Sequence, residues 1–417
     1  MAFNLITLFS PITPRDVVKS ILGRVEKQGA TIYTPQEFEK DAKSNPSLGK
    51  ERTYLFIGTG GTEQIAAELL ESVDLAEPVL LLAHDRSNSL PAALEIRSYA
   101  DQIGLEAKVI HDSLEKLASK IRTWSGYADV QQKIRECRLG VIGEPSFWLI
   151  ASGVDRKKVK ERWGVEIQSY DLGLLTVEMK EGLGRKHQRM MTKHLRESSS
   201  VEVQEEEIDR VASVAQALQE VASKEKLDAV TLECFNLLEE TNVSGCYAIS
   251  LLNDLPDIVA GCEGDVPATF TMLLTKLLVG KPSFMANIAS ADLRSNTVVF
   301  SHCTLPLSMT DSYETLTHFE TGLSVGLRGT IVPQPVTIFK VHGEDLSNWW
   351  VSSGEIVENL RNETGCRTQL RVVMDEPVSY FLEGSLANHH IVVLGDHTKE
   401  ISSFMDFVES YSPQQER

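Results

Sequence analysis

The chain has 417 residues, 42% of them hydrophobic and 24% charged, so it can bury two or three ordinary cores. A net charge of −18 argues against a phosphate backbone as partner, and no stretch reaches the ~18–20 apolar residues of a membrane span. The six cysteines form no C-x-x-C pair, so neither a zinc cage nor a disulfide framework is expected, and buried thiols are the ordinary reading.

The N-terminus "MAFNLITLFSPITPRD" has no basic start and no small-residue cleavage site, which predicts a first strand in a cytoplasmic protein. The segments that follow alternate between strand and helix. "YLFIGTGGTEQIAAELLES" reads as strand, glycine turn and helix, "PVLLLAHD" as a fully buried strand, "LPAALEIRSYADQIG" as a helix and "EAKVIHD" as a strand. That alternation predicts a parallel sheet covered on both faces over residues 1–136. The loop "GTGGTE" follows a strand and opens a helix, so its backbone amides can hold an anion. It lacks both the G-x-G-x-x-G spacing and the Lys-Ser/Thr of a phosphate loop. Thr59 and Gly60 are therefore read either as substrate-facing or as a tight turn that needs glycine.

A second unit of the same architecture is expected over 137–280. "RLGVIGEPSFWLIASGVD" repeats strand, loop and helix. Residues 180–228 read as charged helix, "LDAVTLECFNLL" as a strand, and "GCYAISLLNDLP" and "PATFTMLLTKLLVG" as helices, the last closed by Gly280. From 281 onward "NTVVFSHCTLP", "LSVGLRG", "QPVTIFKVHG", "RTQLRVVMD" and "HHIVVLGDH" are short strands at close spacing. They predict a β-rich, barrel-like domain over 281–417 with a final amphipathic helix. The fold class is thus α/β, with two Rossmann-like parallel-sheet domains followed by the barrel-like one.

Chemistry concentrates in three places. In "CEGDVPATF", Asp265 suits a helix N-cap with Pro267 in the first turn, whereas Glu263 lies upstream of the cap in a glycine-flanked loop. Glu263 suits an oxygen ligand for a hard divalent cation or a general acid/base. His302 ends a strand, on the face shared by Val298 and Phe300. His389 and His390 open another strand, and adjacent strand residues point to opposite faces, so one of the two can join a given site.

Together, "GCEGDVPATFTMLLTKLLVGKPSFMANI", "VVFSHCTLP" and "NHHIVV" resemble the metal-dependent aldose–ketose isomerases of the L-fucose isomerase and L-arabinose isomerase superfamily, and most of all the compact fucose isomerase-like branch. The resemblance covers the chain in outline and is specific from about 235 to 400. It implies two Rossmann-like domains and a barrel-like domain, a homotrimer or homohexamer with the site between subunits, and Mn²⁺ (or Co²⁺ or Mg²⁺) as cofactor. It makes Glu263, His302 and, of the pair, His390 the metal ligands, with His389 facing substrate. The second acid of the family aligns with Asn287, which thereby takes the remaining place in the implied metal set although its carbonyl is a poor ligand and no base. Asp292, Asp265 and Glu320 are the replacement acids, and Glu320 is preferred because "HFETGLSVGLRG" resembles a substrate loop. Arg367 can hold an anionic substituent of the sugar.

The expected reaction interconverts an aldose and a ketose through an ene-diol. The alternatives are an epimerase or isomerase of an anionic sugar such as a sulfo-sugar or sugar phosphate, and a non-catalytic sugar-binding or regulatory protein.

Overall fold

The computed structural model describes residues 3–26, 28–179 and 184–410. The expected helical character of 180–183 lies outside these residues. The chain divides into two compact units, Met1–Gln132 with Ser403–Arg417, and Lys133–Ser402. Among the described residues no helix is long and apolar enough to cross a membrane.

The first unit holds strands β1 (Asn4–Leu8), β2 (Thr31–Tyr33), β3 (Thr53–Ile57), β4 (Val79–His84) and β5 (Ala107–Asp112), all parallel, in the order β2-β1-β3-β4-β5. β1, β3 and β4 are buried along their whole length, as continuous apolar runs require of a sheet covered on both faces. The glycine turn after β3 is a packing device. A Cβ on Gly58 would lie 2.3 Å from the Phe9 ring and one on Gly60 2.8 Å from Asn88 Cβ. The Thr59 hydroxyl is used internally, accepting from the Ser10 N–H at 2.9 Å and meeting Thr13 Oγ1 at 3.2 Å. Thr59 and Gly60 thus belong to a crowded strand-to-helix turn in this unit.

The second unit contains a parallel sheet, a barrel and a small third sheet. β6 (Arg138–Ile142), β7 (Glu166–Tyr170), β9 (Ala229–Leu232) and β10 (Val259–Cys262) form the parallel sheet in the order β10-β9-β6-β7. The expected helix straight after β6 is absent. Residues 143–155 form an irregular loop, and the helix Arg156–Trp163 begins only where Asp155 caps it. Pro145 and Gly153 account for the delay, since neither favours a helix interior.

β11 (Phe284–Asp292), β12 (Thr297–His302), β17 (Thr368–Met374), β16 (Asn348–Asn359), β15 (Pro335–His342) and β18 (His390–Leu394) close into an antiparallel barrel in that order. Its interior is packed by Phe284, Val298, Phe300, Ile338, Leu370 and Val392, one face of each alternating strand. β14 (Gly326–Thr330) lies outside the barrel. It pairs with β13 (Ser312–Leu316), which in turn takes β8 (Ser200–Val201) as a parallel neighbour.

The helix Val266–Val279 joins the two larger sheets. It packs on β9 and β10 and also on β11, β15 and β18. It is apolar all round because it is covered on all sides, its residues Val266–Thr275 being buried. The buried hydroxyls of Thr269, Thr271 and Thr275 donate to carbonyls one turn back, so they carry no desolvation penalty.

Candidate metal centre

The site grows from the carboxyl end of β10. There the backbone turns through two left-handed residues, Glu263 (φ 63°) and Gly264 (φ 69°), before Asp265 starts the helix. Gly264 is required twice over, by its φ and because a Cβ would lie 2.5 Å from Pro145 Cα. Glu263 holds a conformation that is costly for a side-chain-bearing residue, of the kind found where a loop must aim a functional group. Hydrogen bonds pin the turn, from Ser146 N–H to the Glu263 carbonyl (2.9 Å) and from Gly264 N–H to the Leu232 carbonyl (3.2 Å).

The Glu263 carboxylate is buried and its two oxygens are used differently. Oε2 accepts from the Trp148 indole N–H at 2.7 Å. Oε1 lies 3.6 Å from His302 Nε2 and 3.6 Å from His389 Nε2. The three ligand atoms lie within 4.8 Å of one another, and all three residues are buried. Each histidine is oriented from behind. His302 Nδ1 meets Thr304 Oγ1 at 2.9 Å, and His389 Nδ1 meets Asp265 Oδ2 at 2.9 Å. The other oxygen of Asp265 accepts the Ala268 N–H at 2.8 Å, so Asp265 caps the helix and aligns His389 at once. His389 Nε2 is fully buried and has no hydrogen-bond partner among the described residues.

The electrostatics follow from this packing. Burial works against ionisation of Glu263, but the two imidazoles outweigh it and hold the carboxyl well below the usual range. Burial likewise opposes the charge on Asp265, and Lys340 together with His389 brings its pKa down to about 2. Burial alone would neutralise His389, yet the hydrogen bond to Asp265 and the nearby charges of Asp265 and Glu263 raise it to about 9. Lys340 is fully buried, with no hydrogen-bond partner for Nζ among the described residues; burial lowers its pKa, while the charge of Asp265 pulls the other way.

His390, the expected ligand, does not join the cluster. As the first residue of β18 it shares the barrel-interior face with Val392. There Nε2 meets Tyr380 Oη at 3.0 Å, Nδ1 takes the Asn388 carbonyl at 3.0 Å, and burial lowers its pKa to about 3. Strand parity therefore sends His389, not His390, to Glu263.

A cavity of about 370 Å³ opens onto this cluster. It is lined by Glu263 and His302, and also by Trp148, Phe235, Asn287 and Glu320. Asn287 has its carbonyl oxygen taken by the Asn388 amide at 2.5 Å, so it contributes a neutral wall. Glu320 projects from the turn after β13, not from a strand, and it is exposed. Asp292 is also exposed, at the far end of β11, where it holds the turn through Arg294 N–H and Ser295 Oγ. Arg367 is not among the lining residues. Its guanidinium donates to the Thr317 carbonyl (2.8 Å) and pairs with Glu363 (2.9 Å), tethering the base of the loop that carries Glu320.

The residues not anticipated are Trp148, Lys340 and Asn388. Trp148 and Lys340 lie far from the motifs in sequence, and no local pattern marks them; Asn388 stands inside "NHHIVV", next to His389, without a role that its residue type announces. A buried Glu/His/His set with one orphaned imidazole nitrogen fits a divalent cation such as Mn²⁺, which accepts mixed oxygen and imidazole donors.

No protein-family profile matches the chain. It is 23% identical over 308 residues to a sulfoquinovose isomerase of Alkalicoccus urumqiensis, an alignment covering 69% of this chain and 66% of that protein. It is 22% identical over 292 residues to sulfoquinovose isomerases of Priestia aryabhattai and Priestia megaterium, with 65% and 63% covered. The chain thus matches just under two thirds of these relatives' own length.

Proposed function

We propose that the protein is a metal-dependent aldose–ketose isomerase of carbohydrate metabolism. The observation that carries this reading is the convergence of Glu263, His302 and His389, from three separate elements, with Glu263 and His302 lining a sugar-sized cavity and His389 buried behind them. The distant likeness to sulfoquinovose isomerases supports it.

Glu263 Oε1 and the Nε2 atoms of His302 and His389 would hold a Mn²⁺ ion, which, when bound, polarises a sugar carbonyl and lowers the pKa of the neighbouring hydroxyl. Trp148 fixes the rotation of the Glu263 carboxylate, and Asp265 keeps the His389 proton on Nδ1 so that Nε2 presents a lone pair. Glu320, which also lines the cavity, is the proton carrier. It removes the proton from C2 of the aldose, and the C–H pair becomes the C1=C2 bond of an ene-diol as the C1 oxygen takes up a proton. Delivery of the carried proton to C1 and loss of the O2 proton complete the ketose. The cavity volume and the aromatic faces of Trp148 and Phe235 suit a single sugar ring or its open chain. The reading includes a cytoplasmic homotrimer or homohexamer.

The substrate is either a neutral sugar or a sulfo-sugar. The names of the relatives favour the sulfo-sugar. The cavity wall, with Glu263 and Glu320 as its carboxylates and no lysine or arginine among the described residues that line it, favours a neutral one. Incubating the Mn²⁺-loaded protein with sulfoquinovose and with a panel of neutral aldoses and ketoses decides between them. Turnover that Glu263→Gln abolishes is the expected result. A folded, Mn²⁺-binding protein that converts none of these sugars overturns the proposal.

A further inference from the structure

Five of the six cysteines, Cys234, Cys246, Cys262, Cys303 and Cys366, line the same cavity as Glu263. The aldose–ketose reaction uses none of them. Two of them gather with a histidine: the sulfurs of Cys246 and Cys303 and an imidazole nitrogen of His318 lie within 4.8 Å of one another. Cys246 opens the helix Cys246–Asn253, Cys303 follows β12, and His318 follows β13. All three are buried, at 4%, 2% and 6% exposure.

The surroundings are those of a ligating set. The backbone N–H of Arg367 donates to Cys303 Sγ at 3.5 Å, a contact that favours a metal-bound sulfur. The Thr321 hydroxyl meets His318 Nδ1 at 3.2 Å and fixes the ring. Zinc–ligand bonds of about 2.0–2.3 Å place tetrahedral donors roughly 3.5–3.8 Å apart, so an ion requires the three atoms to close by at most about 1.3 Å. Donor chemistry separates this set from the first one: two thiolates with an imidazole select zinc and its soft congeners, whereas a carboxylate with two imidazoles accepts manganese.

We infer that Cys246, Cys303 and His318 form a second metal site, for a thiophilic ion such as Zn²⁺, in the wall of the substrate cavity. Three protein ligands leave the fourth position open. An ion there narrows the cavity and blocks sugar entry, so the site is inhibitory; that consequence alone rests on the isomerase reading, and the binding itself does not.

Cadmium is the probe, because thiolate ligation gives it an ultraviolet charge-transfer band that carboxylate and imidazole ligation does not. The Mn²⁺-saturated protein should develop the band with one equivalent of Cd²⁺. Glu263→Gln should retain it. Cys246→Ser and Cys303→Ser should each lose it, and His318→Gln should weaken Cd²⁺ binding by roughly tenfold or more. No band in the wild type, or an undiminished band in all three variants, overturns the site. Should the serine variants unfold, His318→Gln in the folded protein decides alone. Stoichiometric Zn²⁺ should also stop turnover in the wild type and spare His318→Gln; a wild type that binds Zn²⁺ through sulfur yet keeps its turnover overturns the inhibitory role. Absence of all turnover counts against the isomerase reading and leaves the absorbance result standing.

Discussion

Replacing Asp265 with asparagine separates two duties that the residue performs at once. Its side chain caps the helix through the Ala268 N–H at 2.8 Å and aligns His389 through Nδ1 at 2.9 Å. Asparagine caps a helix about as well as aspartate. It has one acceptor oxygen, however, and with that oxygen on Ala268 its amide N–H group faces His389. The imidazole can then accept only at an unprotonated Nδ1, so the ring proton moves to Nε2, the atom directed at Glu263, and the ligating lone pair is lost. The energetic cost follows from the ionisation of Asp265, whose pKa falls from 3.8 to about 2 in the fold. At about 1.4 kcal/mol per unit, that shift corresponds to roughly 2 kcal/mol of folding stability. A lowered pKa gives stability that is complete above the unfolded value and disappears as pH falls through the folded one. The gap between wild type and Asp265→Asn should therefore be open at pH 7 and close between roughly pH 4 and pH 2. Urea unfolding of the metal-free proteins should show a loss of about 2 kcal/mol at neutral pH, and calorimetric titration should show Mn²⁺ binding weakened about 10–100-fold. An Asp265→Asn protein that binds Mn²⁺ as tightly as the wild type would refute the orienting role.

Four further outcomes are expected. The pKa of His389 is raised from 6.5 to about 9, so its proton stabilises the metal-free fold fully below 6.5 and ceases to do so as pH rises through about 9. Metal must displace that proton, so Mn²⁺ affinity should climb with pH up to about 9, by at most about tenfold per unit, and calorimetry in buffers of different ionisation heat should count close to one proton released per ion. His389→Gln should abolish Mn²⁺ binding as measured by metal-dependent thermal stabilisation. His390→Gln should keep it while losing about 1–3 kcal/mol of stability, because the buried hydrogen bonds to Tyr380 and the Asn388 carbonyl are disturbed. Glu320→Gln should lower kcat about 10²–10⁴-fold with Mn²⁺ affinity unchanged; retained turnover would remove Glu320 from the proton transfer.

Much of the architecture could be read from local pattern. The buried runs of β1, β3 and β4 admit few partners other than a covered parallel sheet, and "GDVPATF" followed by Gly280 marks both ends of the helix Val266–Val279. β11 and β16 were harder to read. "FMANIASAD" and "NWWVSSGEIVEN" carry small and polar residues that break the two-residue alternation, because each strand has a register irregularity, next to Ile288 and to Ile356 respectively. β14 reads as a barrel strand like any other, and only its pairing with β13 takes it elsewhere.

By itself the sequence determined that an acidic residue and two histidines, widely spaced, sit at element ends where side chains can converge, and that Asp265 begins a helix. Tertiary structure decided which histidine arrives. The order of a His-His pair cannot show which face of β18 turns inward; closure of the barrel places His390 with Val392 in the packed interior and delivers His389 to Glu263. It also decided the supporting cast. Trp148 reaches Glu263 across 115 positions and His389 reaches Asp265 across 124. Contacts of that separation are made by the packing of sheet against barrel, and no local pattern in the chain encodes them.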